Sequence, residues 1–170
     1  ALQYCYEDYN ETIFSYVNNV RTRDGGTHEA GFRTGITRAI NDFAEANKLL
    51  RGKKLEGSDI REGLTAVIAL KVPEGLLQFE GQTKGKLGTA EATSVVQNLI
   101  YNKFTYYLTE NKEIAMNIIK KCTDAQAARL AARKAKEEAR SSKKTKQEVI
   151  LSDKLTPAQS KNYAKNELFI

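Results

Sequence analysis

This sequence is short of the residues that carry most side-chain chemistry. It has one histidine, His28, no tryptophan, and two cysteines, Cys5 and Cys122, far apart in a chain of 170 residues. A zinc site needs His or Cys ligands grouped at short spacings, and none are grouped here. His28 has no evident orienting partner or substrate pocket, so it reads as a buried or capping histidine and not as a general base. The two cysteines make neither a metal spacing nor a disulfide framework. No apolar run approaches the length of a membrane span and no signal-peptide pattern stands out, so a reducing, cytoplasmic setting is the expectation. Asp59 and Glu62 form a carboxylate pair without a third acid or a histidine. They read as capping and surface charges, with no metal site. Basic charge, by contrast, is plentiful. Lys and Arg number 27 against 21 Asp and Glu, giving a formal charge of +6 and a pI near 9.2. That balance favours an anionic partner, nucleic acid ahead of membrane.

Along the chain, residues 2–7 and 11–18 alternate as strands, and Asp8-Tyr9-Asn10 between them predicts a hairpin. Asn18 to Gly26 is a turn-rich connection. Thr27 is placed to cap a helix whose apolar stripe is Phe32, Ile36, Ile40, Phe43 and Leu50. Ser58 and Asp59 open a short turn. Leu64 to Val72 is apolar on both parities, which predicts a central strand covered on both faces and stopped by Pro73. Leu76 to Phe79 is a further short strand. Helical spacing returns over 93–108, with Val96, Leu99, Ile100, Phe104 and Tyr107 inward. Residues 111–140 lack Gly and Pro and are rich in strong helix formers, so they predict one helix roughly 45 Å long. Its second half carries too little apolar surface to bury and is expected to project. Ser141-Ser142-Lys143-Lys144 suits a linker. Residues 1–110 are thus expected to form one α+β unit, 111–140 a long exit helix, and 141–170 a basic linker leading to a strand at Glu167-Leu168-Phe169-Ile170. Both ends suggest a piece of a longer protein.

The segment with the most chemistry is the loop after Phe79. Gly81, Gly85 and Gly88 flank Gln82, Thr83, Lys84 and Lys86. Glycines allow close backbone approach, lysine gives a mobile positive charge and glutamine an amide donor, which together suit an exposed loop touching a phosphate. The spacing is not that of a Walker A loop, because three residues separate Gly81 from Gly85 and Leu87 follows Lys86.

Gln78-Phe79-Glu80-Gly81-Gln82-Thr83-Lys84 resembles a loop of the ATPase subunits of bacterial type IIA topoisomerases, gyrase B and the ParE subunit of topoisomerase IV. Asp24-Gly25-Gly26-Thr27-His28-Glu29, the block Asp59 to Val67, Leu155 to Asn162 and Lys165 to Ile170 are similar to further blocks of that family, in the same order. Tyr16 to Thr22, Val72-Pro73-Glu74 and Leu155 to Gln159 lean toward topoisomerase IV.

The resemblance implies a transducer domain like the second domain of ribosomal protein S5, with a left-handed βαβ crossover. It also implies that Gln82 and Lys84 contact the γ-phosphate of ATP held by a preceding domain, and that a TOPRIM domain begins at the last residues. ATP and Mg²⁺ would serve the intact enzyme, with neither bound by this stretch alone. The implied partners are double-stranded DNA, an A subunit of the ParC or GyrA type, and a second copy of the ATPase subunit.

Arg129, Arg133, Lys136 and Arg140 lie on the basic helix. The resemblance would place them along a cavity that passes DNA, and without interleaved aromatics any contact would be sequence-independent. A solvated face of i, i+4 pairs is the plainer reading of the same residues. Two positions depart from the family pattern: Thr93, usually Arg, and Tyr163, usually small or polar. The alternatives are a nonenzymatic basic RNA- or DNA-binding module of related fold and a plain interaction domain with a helical arm.

Overall fold

Asn18 and Asn19 both stand at positive φ, 48° and 66°. Two such residues make the turn whose twist suits a tight hairpin, and asparagine tolerates the left-handed region better than most. They join strand β2 (Thr12–Val17) to β3 (Val20–Arg21), pairing Tyr16 with Arg21 and Val17 with Val20. The expected hairpin between residues 2–7 and 11–18 does not form. The computed structural model pairs β1 (Leu2–Tyr4) with β4 (Leu64–Leu70) instead, in a sheet ordered β1-β4-β2-β3. The turn chemistry is there, since the Asn10 amide donates to Asp8 Oδ1 at 2.9 Å. Its flanking strands, however, are separated by β4, which runs antiparallel to β1 and parallel to β2. Local turn signals cannot reveal a strand inserted from fifty residues downstream.

The described residues are 1–50, 53–146, 162 and 164, with only the helical backbone given for 141–146. They fall in two compact units, Ala1–Leu130 and Ala131–Ile170. Strand β4 is central, as its composition predicts, but only one face is covered. Leu64 and Ala66 are buried while Val67 is 44% exposed. Helix α1 (Thr27–Ala46) buries Phe32, Ile36, Ile40 and Phe43, as spaced. It ends at Ala46, short of Leu50; Lys48 at φ 55° turns the chain, and Leu50 joins the core from the loop. Thr27 is not the cap. Gly26 holds that position and Thr27 Oγ1 is buried without a partner.

Helix α2 (Gly57–Arg61) is capped by a reciprocal pair, Glu56 and Asp59. Asp59 is buried, so it is not the surface charge expected. Helix α3 (Glu91–Glu110) packs closely on α1, because Gly31 and Gly35 present bare backbone to Thr93 and Gln97. A Cβ at either glycine would crowd a carbonyl oxygen of α3. Thr93 adds a hydrogen bond to the Thr27 carbonyl at 3.2 Å. Val96 and Phe104 are buried as expected, but Leu99 is 56% exposed and Tyr107 41%. Both border an open apolar groove of about 770 Å³ between β1, β4, α3 and the helix that follows it, which no described residue fills.

Helix α4 (Lys112–Lys146) continues through Ser141–Lys144, where a linker was expected. Two serines cost a helix only a few tenths of a kcal/mol each, and lysines sustain it. Ala115, Ile118, Ile119, Cys122 and Ala125 are buried; Ile114 is exposed beside the groove. In the second unit, residues 131–140 are all exposed. Lys121 is buried, and its ammonium donates to the carbonyls of Cys5, Tyr6 and Asp8. The expected TOPRIM approach at 155–161, the strand at 167–170 and Tyr163 lie outside the described residues.

Candidate functional site

The loop around Lys84 is built on a two-stranded ribbon. Strands β5 (Phe79–Glu80) and β6 (Lys86–Leu87) pair antiparallel, Phe79 with Leu87 and Glu80 with Lys86. Across that second pair Lys86 Nζ reaches Glu80 Oε2 at 2.8 Å. The two lysines of the loop are therefore not equivalent. Lys86 is neutralised by its cross-strand neighbour, while Lys84 has no ion pair among the described residues. Gln82, Thr83 and Lys84 are all exposed at the tip. The tip turns sharply, with Gly81 at φ 82° and Lys84 itself at φ 54°. A lysine in the left-handed region carries a cost of about 1–2 kcal/mol, so the neighbouring structure must hold it there.

That holding structure is the turn before α1. The Asp24 amide donates to the Gly85 carbonyl at 2.9 Å, and the Leu87 amide to the Gly25 carbonyl at 3.0 Å. Gly26 lies against Leu87 in a parallel bridge, at φ 136°. A side chain there would overlap the Leu87 backbone, so the position requires glycine on grounds of both space and dihedral. Leu87 is fully buried with Val17 and Ala92. Two of the blocks singled out from sequence, Asp24–Glu29 and Gln78–Lys84, thus meet in space. The second supplies an exposed tip and the first clamps its base.

His28 is buried, as expected, and burial holds its pKa below the usual value. Around it lie three residues that sequence reasoning does not single out as functional: Ser15, Thr22 and Glu29, all buried. One signal could have found Ser15. It shares the inward parity of β2 with Ile13 and Val17, where an apolar side chain would be the default.

The basic helix is less uniform than its sequence suggests. Arg129 does not present a free guanidinium. It makes a bidentate pair with Asp59, at 2.7 and 3.0 Å, and reaches Glu56 at 2.9 Å. Its role is to lock α4 to the cap of α2. Arg133 is exposed and pairs with Glu137 at 3.0 Å, the i, i+4 arrangement of the plainer reading. Lys136 and Arg140 are exposed. No group of three His, Cys, Asp or Glu side chains among the described residues could hold a metal ion. No helix among them is long and apolar enough to cross a membrane.

A sequence model described as DNA gyrase B matches residues 1–138. This chain belongs to the DNA gyrase B family. It is 57% identical over 167 residues to the B subunit of DNA topoisomerase 4 from Bacillus subtilis, covering 96% of this chain and 26% of that protein. It is 56% identical over 173 residues to the corresponding protein of Staphylococcus aureus, covering 100% and 26%. The chain thus spans about a quarter of the length of these curated relatives. Among solved structures it is similar to the 43K ATPase domain of Thermus thermophilus gyrase B, at 39% identity and TM-score 0.72 over 80% of this chain and 36% of that one. It is also similar to the topoisomerase IV ATP binding domain of Francisella tularensis, at 31% identity and TM-score 0.67 over 76% and 35%. The mixed α and β architecture is therefore that of gyrase B-type proteins.

Proposed function

We propose that this chain is the nucleotide-coupling segment, the transducer domain, of the ATPase subunit of a topoisomerase IV. In that reading it is an S5-like α+β unit that links ATP binding and hydrolysis in a preceding domain to DNA strand passage. Lys84, with Gln82, contacts the γ-phosphate. The observation that carries the reading is the asymmetry of the loop: Lys86 is paired to Glu80, whereas Lys84 stands exposed at a clamped, left-handed tip. A fixed positive charge is what an increasingly charged phosphoryl group needs, since phosphoryl transfer is catalysed mainly by positioning and electrostatics.

ATP, a second copy of the ATPase subunit and an A subunit of ParC or GyrA type are engaged through the full-length protein in a bacterial cytoplasm, and Mg²⁺ is held outside this stretch. Arg133, Lys136 and Arg140 provide a sequence-independent contact to duplex DNA; Arg129 is withdrawn from that set by Asp59. Family membership gives a stand-alone RNA- or DNA-binding module no support.

The test is steady-state ATP hydrolysis by a full-length ATPase subunit that carries this sequence. Lys84→Ala is expected to lower turnover about 100- to 1000-fold, the scale of losing one oriented transition-state donor. Gln82→Ala should cost less, as a neutral hydrogen bond is weaker than a charge-assisted one. Lys86→Ala should keep near-normal turnover, and all three should melt like the parent. Equal behaviour of Lys84→Ala and Lys86→Ala would remove Lys84 from this role.

A further inference from the structure

The turn that clamps the loop rests on a buried chain of polar side chains drawn from β2, the segment after β3, and α1. Ser15 Oγ lies 2.5 Å from Glu29 Oε1 and 2.6 Å from Thr22 Oγ1. Thr22 Oγ1 lies 3.1 Å from His28 Nε2. Each hydroxyl has a single proton, and Ser15 has two acceptors in reach, Glu29 Oε1 and, at 3.1 Å, the Thr22 carbonyl. Ser15 gives its proton to the Glu29 carboxylate, the shortest contact. Thr22 must then donate to Ser15, and His28 must donate from Nε2 to Thr22. Glu29 Oε2 is held on its far side by Arg33 at 3.3 Å. His28 Nδ1 is buried without a partner, which suits the neutral ring with its proton on Nε2. A second proton on Nδ1 would be a buried donor with no acceptor.

Thr22 also accepts the Gly25 amide on its main-chain carbonyl at 3.2 Å, and Ser15 accepts the Thr22 amide at 2.9 Å. Thr22 is therefore tied to β2 through both backbone and side chain, with only Arg23 between it and the pair Asp24 and Gly25. Those two residues make the hydrogen bonds to Gly85 and Leu87. From Ser15 to the base of the loop the chain of hydrogen bonds and short backbone segments is continuous. The burial of several polar groups in one place is costly unless they are satisfied, and a satisfied network specifies one arrangement.

We propose that Ser15, Thr22, His28 and Glu29 form a positioning network for the Gln82–Lys84 tip. The network does not touch nucleotide; it sets where Lys84 stands by fixing Asp24 and Gly25. This rests on the reading of Lys84 as the nucleotide contact.

Thr22→Val keeps shape and removes the hydroxyl, and Thr22→Ser restores it. In the full-length protein Thr22→Val is expected to lower kcat about 10- to 100-fold, the scale of a displacement of about 1 Å at a reacting centre. Thr22→Ser should recover most of the loss. In a Lys84→Ala background Thr22→Val should lower kcat no further, because both changes act through one side chain. A second measurement on the full-length protein needs no nucleotide. Amide hydrogen exchange at Asp24 and Leu87 should quicken about tenfold in Thr22→Val, beyond any change along α3.

If Lys84→Ala alone leaves turnover intact, the nucleotide-contact reading falls, and the exchange result decides whether the network positions the loop. If Lys84→Ala abolishes turnover but Thr22→Val leaves kcat at the parent value, or lowers it equally in both backgrounds, the positioning proposal is overturned. Unchanged exchange at Asp24 and Leu87 overturns it as well. Should Thr22→Val not fold, Ser15→Ala replaces it, with the same outcomes required.

Discussion

At the residue scale, His28 makes a titration test of the buried network. Burial depresses its pKa from 6.5, so between the folded and unfolded values the unfolded chain binds the extra proton. The stability this group contributes is fully present above pH 6.5 and is lost as pH falls through the folded value. Thermal melts of the chain should therefore drop as pH falls below 6.5 by more than in His28→Gln, which keeps a donor toward Thr22 and has no titration. Parallel pH profiles for the two proteins would contradict this. His28 was legible as a buried histidine from its place at a helix start. Its partners were not, because Ser15 and Thr22 come from segments whose pairing depends on the β2–β3 turn. The same limit applied to Lys84 and Lys86. Their shared loop was evident in the sequence, but the cross-strand register that gives Glu80 to Lys86 was not.

At the element scale, α1 followed its apolar periodicity, α3 did so at Val96 and Phe104 but not at Leu99 and Tyr107, α4 followed its helix-forming composition, and β4 was central as its composition required. What failed was pairing. β1 and β2 alternate convincingly and flank a true turn at Asp8–Asn10, yet each pairs with β4. Alternation records which side of a strand is buried and says nothing about which strand lies beside it. Basic composition was similarly blind to Asp59, which lies seventy residues before Arg129 in the chain. That ion pair carries a prediction for α4. Arg129→Ala would leave the Asp59 carboxylate buried beside Glu56 with no cation, and such a charge is costly. The melting temperature should fall well beyond that of Arg133→Ala, which removes an exposed pair and should stay within about 0.5 kcal/mol of the parent. Arg129→Lys should rescue only in part, since an ammonium cannot form the two-point pair. Similar melts for Arg129→Ala and Arg133→Ala would show that the Asp59 pair contributes nothing.

At the scale of the whole molecule, the excess of basic charge predicts weak DNA binding with a steep salt response. Each phosphate neutralised adds about 0.9 to the slope of log K against log salt. Replacing Arg133, Lys136 and Arg140 together by Ala should flatten that slope with the fold intact. Arg129→Ala should leave it unchanged, because its guanidinium is already engaged. A titration by fluorescence anisotropy at several salt concentrations separates the two, and a slope indifferent to the triple change would remove the helix from the DNA surface. The Lys121 ammonium, finally, has a bearing on how the chain is made. It grips carbonyls at Cys5, Tyr6 and Asp8, up to 116 residues earlier. β1 also awaits β4 for its only strand partner among the described residues. A ribosome adding about 5–20 residues each second needs roughly 6–23 s to cover that separation. β1 thus stays unpaired until β4 has been made, and the carbonyls of Cys5, Tyr6 and Asp8 wait longer still for Lys121, an interval in which an unpaired strand is open to other nascent chains.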